Sequence, residues 1–151
     1  MKRIVVGVDG SENASEALRE AVRLAKLEGG AKLSVVNAWH VPGHTYGNAF
    51  ALPMTNLREE FESSARSIVE KSVAAINGEA EGLDIEQVVE EGHAAKVLLD
   101  AAGDADLLVV GCRGHGGFAE LLLGSVSHEC TRHARCPVLV VHKHDRNGAH
   151  P

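Results

Sequence analysis

Five short apolar runs alternate with segments whose apolar residues recur at helical spacing, and this alternation is the mark of a parallel sheet covered on both faces. The first run, residues 3–9, carries Ile4, Val5, Val6 and Val8 and stops at Asp9-Gly10-Ser11. Behind it Ala14, Ala17, Leu18, Ala21, Val22 and Ala25 form one stripe of a helix that Ser11 or Asp9 can cap and Gly29-Gly30 ends. A second strand is expected over 32–39. Residues 40–55, with Pro42, Gly43, Gly47 and Pro53, fit no regular element and read as either a ligand-covering lid or a plain insertion. A helix from 56 to about 77 follows. Then come a strand over 84–91 and a short helix carrying Ala94, Val97, Leu98 and Ala101. The pattern closes with an apolar strand over 106–111, a helix over about 124–134 and a last strand over 138–142, reached through Pro137. With right-handed crossovers, five strands and four helices make a doubly wound α/β sheet with helices on both faces. One domain is expected over 1–144, with a polar tail over 145–151 and fraying from Lys143 onward.

Such sheets bind ligands beyond the carboxyl ends of their strands, where the strand order reverses. The ends carrying Asp9 and Gly111 are the candidates. After Gly111 the chain reads Cys112, Arg113, Gly114, His115, Gly116, Gly117, Phe118, and reaches a helix start at Gly124-Ser125. Phosphate suits such a loop, because glycines let backbone N–H groups approach an anion and the first N–H groups of a helix lack internal partners. Arg113 and His115 add cationic donors.

Composition removes several classes. The formal net charge is −6 and the basic residues are scattered, so no footprint for DNA or RNA is present. No run approaches the roughly 20 apolar residues of a membrane span, and the N-terminus enters a strand pattern without a signal-peptide cleavage region, so a cytoplasmic protein is expected. Three cysteines without CxxC spacing suit a reducing compartment. His128, Cys130, His133 and Cys136 invite a metal reading, but helical spacing puts Cys130 on the buried face and His128 elsewhere.

A Walker A loop requires Gly-Lys-Ser/Thr, which the chain lacks, and a Rossmann fingerprint forced on Gly114 to Ala119 follows the fourth strand instead of the first. What remains is Gly111-x2-Gly114-x9-Gly124-Ser125. Together with Val6-Gly-Val-Asp-Gly-Ser11 and Ala134-Arg-Cys-Pro-Val-Leu-Val-Val141, this motif resembles the nucleotide-binding subgroup of the universal stress protein family over nearly the whole chain. The resemblance implies a flavodoxin-like sheet of order 3-2-1-4-5, ATP or another adenine nucleotide between the first and fourth strand ends, and a homodimer through the last strand. It places Asp9 beside the ribose or a hydrated Mg²⁺, and the backbone of Gly7, Val8 and Ala38 against adenine and ribose. It lines the phosphates and ribose with Gly111, Gly114, Gly116, Gly124, Ser125 and Val126, with Arg113, His115 and Gly117 in the same loop. Cys112 stands where the family often has serine, and His93 where a proline is common.

The implied function is an ATP-binding stress-response or regulatory sensor, with at most slow hydrolysis and a signalling partner the sequence does not identify. Two alternatives remain at this point: a nucleotide hydrolase or transferase acting through Arg113, His115 or Glu120, and a dimeric scaffold with an empty pocket, paired through Val138 to Val141.

Overall fold

The structure, a computed structural model, describes residues 1–42, 54–113 and 123–143. Its apolar runs become the strands β1 (Arg3–Gly7), β2 (Lys32–Trp39), β3 (Ile85–Glu91), β4 (Leu107–Gly111) and β5 (Val138–Val141). All pair in parallel, in the order β3-β2-β1-β4-β5. The helices between them are α1 (Glu12–Leu27), α2 (Met54–Ala75), α3 (Ala94–Ala101) and α4 (Ser125–His133). The expected architecture and strand order are therefore those observed. Among the described residues no helix is long and apolar enough to cross a membrane.

Side chains alternate across a strand, so each central strand feeds two cores. Ile4, Val6, Leu33, Val35, Leu107 and Val109 pack under α1 and α2 with Leu18, Val22, Val69 and Ile76. Val5, Val36, Leu108 and Val110 pack under α3 and α4 with Val97, Leu98 and Cys130. Ile4, Val5 and Val6 are all fully buried, which explains why their run shows no polar alternation.

The amino end of the sheet is tied by polar contacts. Asp106 Oδ2 accepts hydrogen bonds from the backbone N–H groups of Lys2 (2.7 Å) and Arg3 (3.0 Å), which hold its carboxyl below the usual range. Buried Ser34 donates to Glu86 Oε2 at 2.9 Å and accepts from Arg3 Nε at 3.3 Å. A polar side chain inside a buried strand is thereby satisfied.

Three local expectations change. α2 opens at Met54, inside the stretch 40–55 expected to be irregular, and ends at Ala75. β1 ends at Gly7, not residue 9, because Val8 keeps only its N–H bond to Val36 O (2.9 Å), while its carbonyl accepts from the Asn37 side chain at 2.6 Å. Lys143 is not frayed: its backbone N–H donates to Asn13 Oδ1 at 3.0 Å and its ammonium pairs with Glu12. The tail over 145–151 lies outside the described residues, as does most of the expected 40–55 loop.

Replacing Leu33, 0% exposed, by alanine is expected to cost about 2–4 kcal/mol in urea unfolding, whereas Leu27→Ala, at a site 69% exposed, should stay within about 0.5 kcal/mol. Because folding favours the charged form of Asp106, its contribution is present above about pH 4 and disappears as pH falls through the lower folded value. Melting curves of Asp106→Asn should therefore lie below wild type near neutrality and converge with it in acid; a constant gap across pH would contradict this assignment.

Candidate functional site

From β1 the chain proceeds outward through β2 to β3, and from β4 in the opposite direction to β5, so the order reverses between β1 and β4. The carboxyl ends of these two strands carry Gly7-Val8-Asp9 and Gly111-Cys112-Arg113. In an open parallel sheet that is the crevice where ligands bind.

On the β1 side the chain turns at Gly10, whose φ of 83° is the left-handed conformation glycine adopts without strain. The turn brings Asp9 Oδ1 to the backbone N–H of Ser11 at 2.9 Å, and Ser11 Oγ accepts from Ala14 N at 3.2 Å as the N-cap of α1. Of the two cap candidates, Ser11 therefore holds the cap, and Asp9 braces it from one step earlier, half-buried at the strand end. Across the crevice α4 is built differently. Its N-cap is Gly124, which offers no side-chain cap, so its opening N–H groups carry the positive end of the helix dipole.

The glycine loop leaves and re-enters through a narrow neck. Gly124 N donates to Cys112 O at 2.6 Å, and buried Ser127 donates through Oγ to Gly111 O at 2.6 Å. The chain on either side of the loop is thereby pinned, with Ser125 exposed and Val126 half-buried at the start of α4. Gly111 itself has a packing reason: a Cβ there would lie 2.8 Å from the Asn13 carbonyl carbon and 3.0 Å from Ala14 N. Only glycine lets β4 end this close to the first turn of α1. A Cβ on Gly7 would meet Leu98 Cδ1 at 2.9 Å, the movable tip of a side chain.

The structure thus brings Gly7, Val8 and Asp9 to one side of the crevice, with Gly111, Arg113, Gly124, Ser125 and Val126 on the other. Ala38 is half-buried near the end of β2, in register with Glu90 of β3. Gly114, His115, Gly116, Gly117 and Glu120, expected in the same loop, lie outside the described residues. Cys112 is buried and its thiol lies 3.5 Å from Asn13 Oδ1. Cys130 is fully buried, and burial with Glu129 nearby pushes its thiol up to about 11, which keeps it protonated and unfit as a metal ligand near neutral pH. Among the described residues no three His, Cys, Asp or Glu side chains group to hold a metal.

Three residues at this edge were not anticipated. Asn13 receives Cys112 and Lys143 on one carbonyl oxygen, joining α1 to the exits of β4 and β5. Ser127 holds the loop neck, and nothing in the sequence distinguishes it from a helix-surface serine. Asn37 had a visible signal, a polar residue inside a buried run. Further along the edge, Arg58 lies over the Trp39 ring at 5.5 Å and donates to Glu91 Oε1 at 2.7 Å, while the imidazoles of His40 and His93 approach with centroids 4.7 Å apart.

Sequence comparison gives a match between residues 1–142 and the profile of the Universal stress protein family. Universal stress protein YxiE of Bacillus subtilis (strain 168) is 34% identical over 148 residues, covering 92% of this chain and 97% of the relative. A universal stress protein of Mycolicibacterium smegmatis is 35% identical over 147 residues, covering 95% of this chain; the chain spans about half of that relative, 49% of its length. Among solved structures, a universal stress protein in complex with cAMP is 28% identical with a TM-score of 0.67, covering 95% of this chain and 98% of that one.

Gly111→Ala should lower stability by about 1–3 kcal/mol, or about 3–10 °C in Tm, because the obstructing atoms are backbone. Gly78→Ala enters open space and should leave the melt within about 0.5 kcal/mol of wild type. Equal melts for the two variants would show that β4 does not rest on α1 through Gly111.

Proposed function

Since the chain belongs to the universal stress protein family, we propose that it holds an adenine nucleotide, ATP with Mg²⁺, between the carboxyl ends of β1 and β4. The observation that carries this reading is the helix start at α4, without a side-chain cap, behind a glycine-rich segment necked by the Gly124–Cys112 bond at the reversal of strand order. Phosphate oxygens are the natural acceptors for those N–H groups. Arg113 and His115 supply positive charge, and Gly114, Gly116 and Gly117 let the backbone approach the phosphates. Ser125 and Val126 complete the phosphate and ribose wall. Adenine and ribose lie along the backbone of Gly7, Val8 and Ala38, and the similar structure that contains cAMP supports an adenine ligand.

Asp9 presents one carboxylate at the strand end, braced by Ser11 N. A single carboxylate suits Mg²⁺, which commonly keeps several waters and takes its remaining ligands from phosphates. The ion would neutralise phosphate charge; the protein's own part is to orient the nucleotide and shield it.

Nucleotide occupancy, with at most slow hydrolysis, would alter a cytoplasmic surface read by a signalling partner. Pairing of two copies through β5 belongs to the same reading. The carbonyls of Pro137 and Val141 face β4, so by alternation Val138 and Val140 direct backbone groups outward along an edge.

Native mass spectrometry of freshly purified protein is expected to show a dimer that releases adenine nucleotide on denaturation. Gly124→Val should lose the nucleotide, and Ser125→Ala, altered at an exposed position, should bind Mg-ATP more weakly while keeping its circular dichroism spectrum. Wild type that carries no nucleotide and does not bind added Mg-ATP would overturn the proposal.

A further inference from the structure

Away from the crevice between β1 and β4, two exposed imidazoles meet at the carboxyl edge of the sheet. His40 follows β2 directly, and His93 is the N-cap residue of α3, held there by backbone geometry while its side chain makes no capping bond. Their rings stand 4.7 Å apart between centroids, with planes tilted by 47°. Among the described residues neither ring makes a hydrogen bond or ion pair.

Ring pairs in simple contact reach this spacing too, and it is also one at which two imidazoles can share an ion. With metal–nitrogen bonds of about 2.0–2.1 Å and a ring centre about 1.1 Å beyond, two imidazoles sharing one ion at about 90–110° have centroids about 4.5–5.2 Å apart. The observed separation falls inside that window. The backbone sets it: β2 and β3 are paired in register to Trp39↔Glu91, and Gly92 N donates to Trp39 O at 2.8 Å, fixing the residues that follow each strand side by side. Glu91 and Trp39 are already engaged by Arg58, which leaves the imidazoles as the donors of this corner.

We propose that His40 and His93 form a two-imidazole site for a divalent transition-metal ion, of the class Cu²⁺, Ni²⁺ or Zn²⁺. Imidazole nitrogen is a borderline ligand that suits these ions and not Mg²⁺ or Ca²⁺, and at such a site Cu²⁺ binds tightest. Among the described residues no third His, Cys, Asp or Glu joins the pair. The ion would cross-link the exits of β2 and β3 and stabilise the folded state by mass action. Protons compete for the same nitrogens, so affinity falls as pH is lowered. His40 lies two residues beyond Ala38, one of the proposed adenine and ribose contacts, so the test uses nucleotide-free protein, and failure of either reading then leaves the other standing.

Calorimetric titration of the full chain with Cu²⁺, and separately with Zn²⁺, is expected to show one site per chain and a rise in Tm. His40→Gln and His93→Gln should each weaken it by about tenfold or more, since loss of even an outer-shell partner commonly costs that much. A His142→Gln/His144→Gln double variant, which removes the other closely spaced histidines near the C-terminus, should retain it. Both replaced rings are exposed, so the single variants are expected to fold, with circular dichroism as the check. Unchanged affinity in both single variants, or loss of the site only in the double variant, would overturn the proposal.

Discussion

Burial of β1 and β4 on both faces is the constraint from which the rest of this structure follows. Ile4, Val5, Val6, Leu108 and Val109 have no exposed surface, so neither face of the central sheet can be left to water. Helices must cover each face, and a parallel strand pair requires a crossover long enough to hold one. Once α1 and α2 take one face and α3 and α4 the other, the strands run outward from the centre in two directions. The crevice at their reversal is therefore a consequence of covering the sheet.

At the carboxyl edge, packing and the proposed ligand contacts draw on the same residues. Gly111 is a glycine because α1 leaves no space for a Cβ, yet that approach also sets Asn13 against Cys112 and Lys143. The two helix starts that face the crevice are then handled in opposite ways. α1 is satisfied internally by Ser11 with Asp9 behind it, and α4 has a glycine where its cap would be. A glycine N-cap gives up the side-chain bond that a serine supplies, and it leaves the helix start accessible to an external anion.

Most of the fold was legible because its signals are local. The stripe from Ala14 to Ala25 is buried as its spacing required, and Gly29-Gly30 follows the end of α1 at Leu27. Boundaries shifted where a side chain replaced a ladder bond, as Asn37 does for Val8, or where a distant partner fixed a residue that looked loose, as Asn13 does for Lys143. Candidate residues at the two strand ends were legible through the glycine spacing. Ser127 and Asn13 were not, because their partners are remote in sequence and a serine or asparagine on a helix has no periodic mark of such a role.

By itself the sequence determined the class of sheet and the number and type of its elements, since periodicity and glycine placement act over a few residues; the strand order that puts two strand ends at one crevice came with the family resemblance. Only the tertiary structure decided which glycine is required by packing, which cap serves α1, how the glycine loop is necked and which two histidines meet. Each depends on approach between segments far apart in the chain, and that distance is set by the packed core and not by any residue's own neighbours.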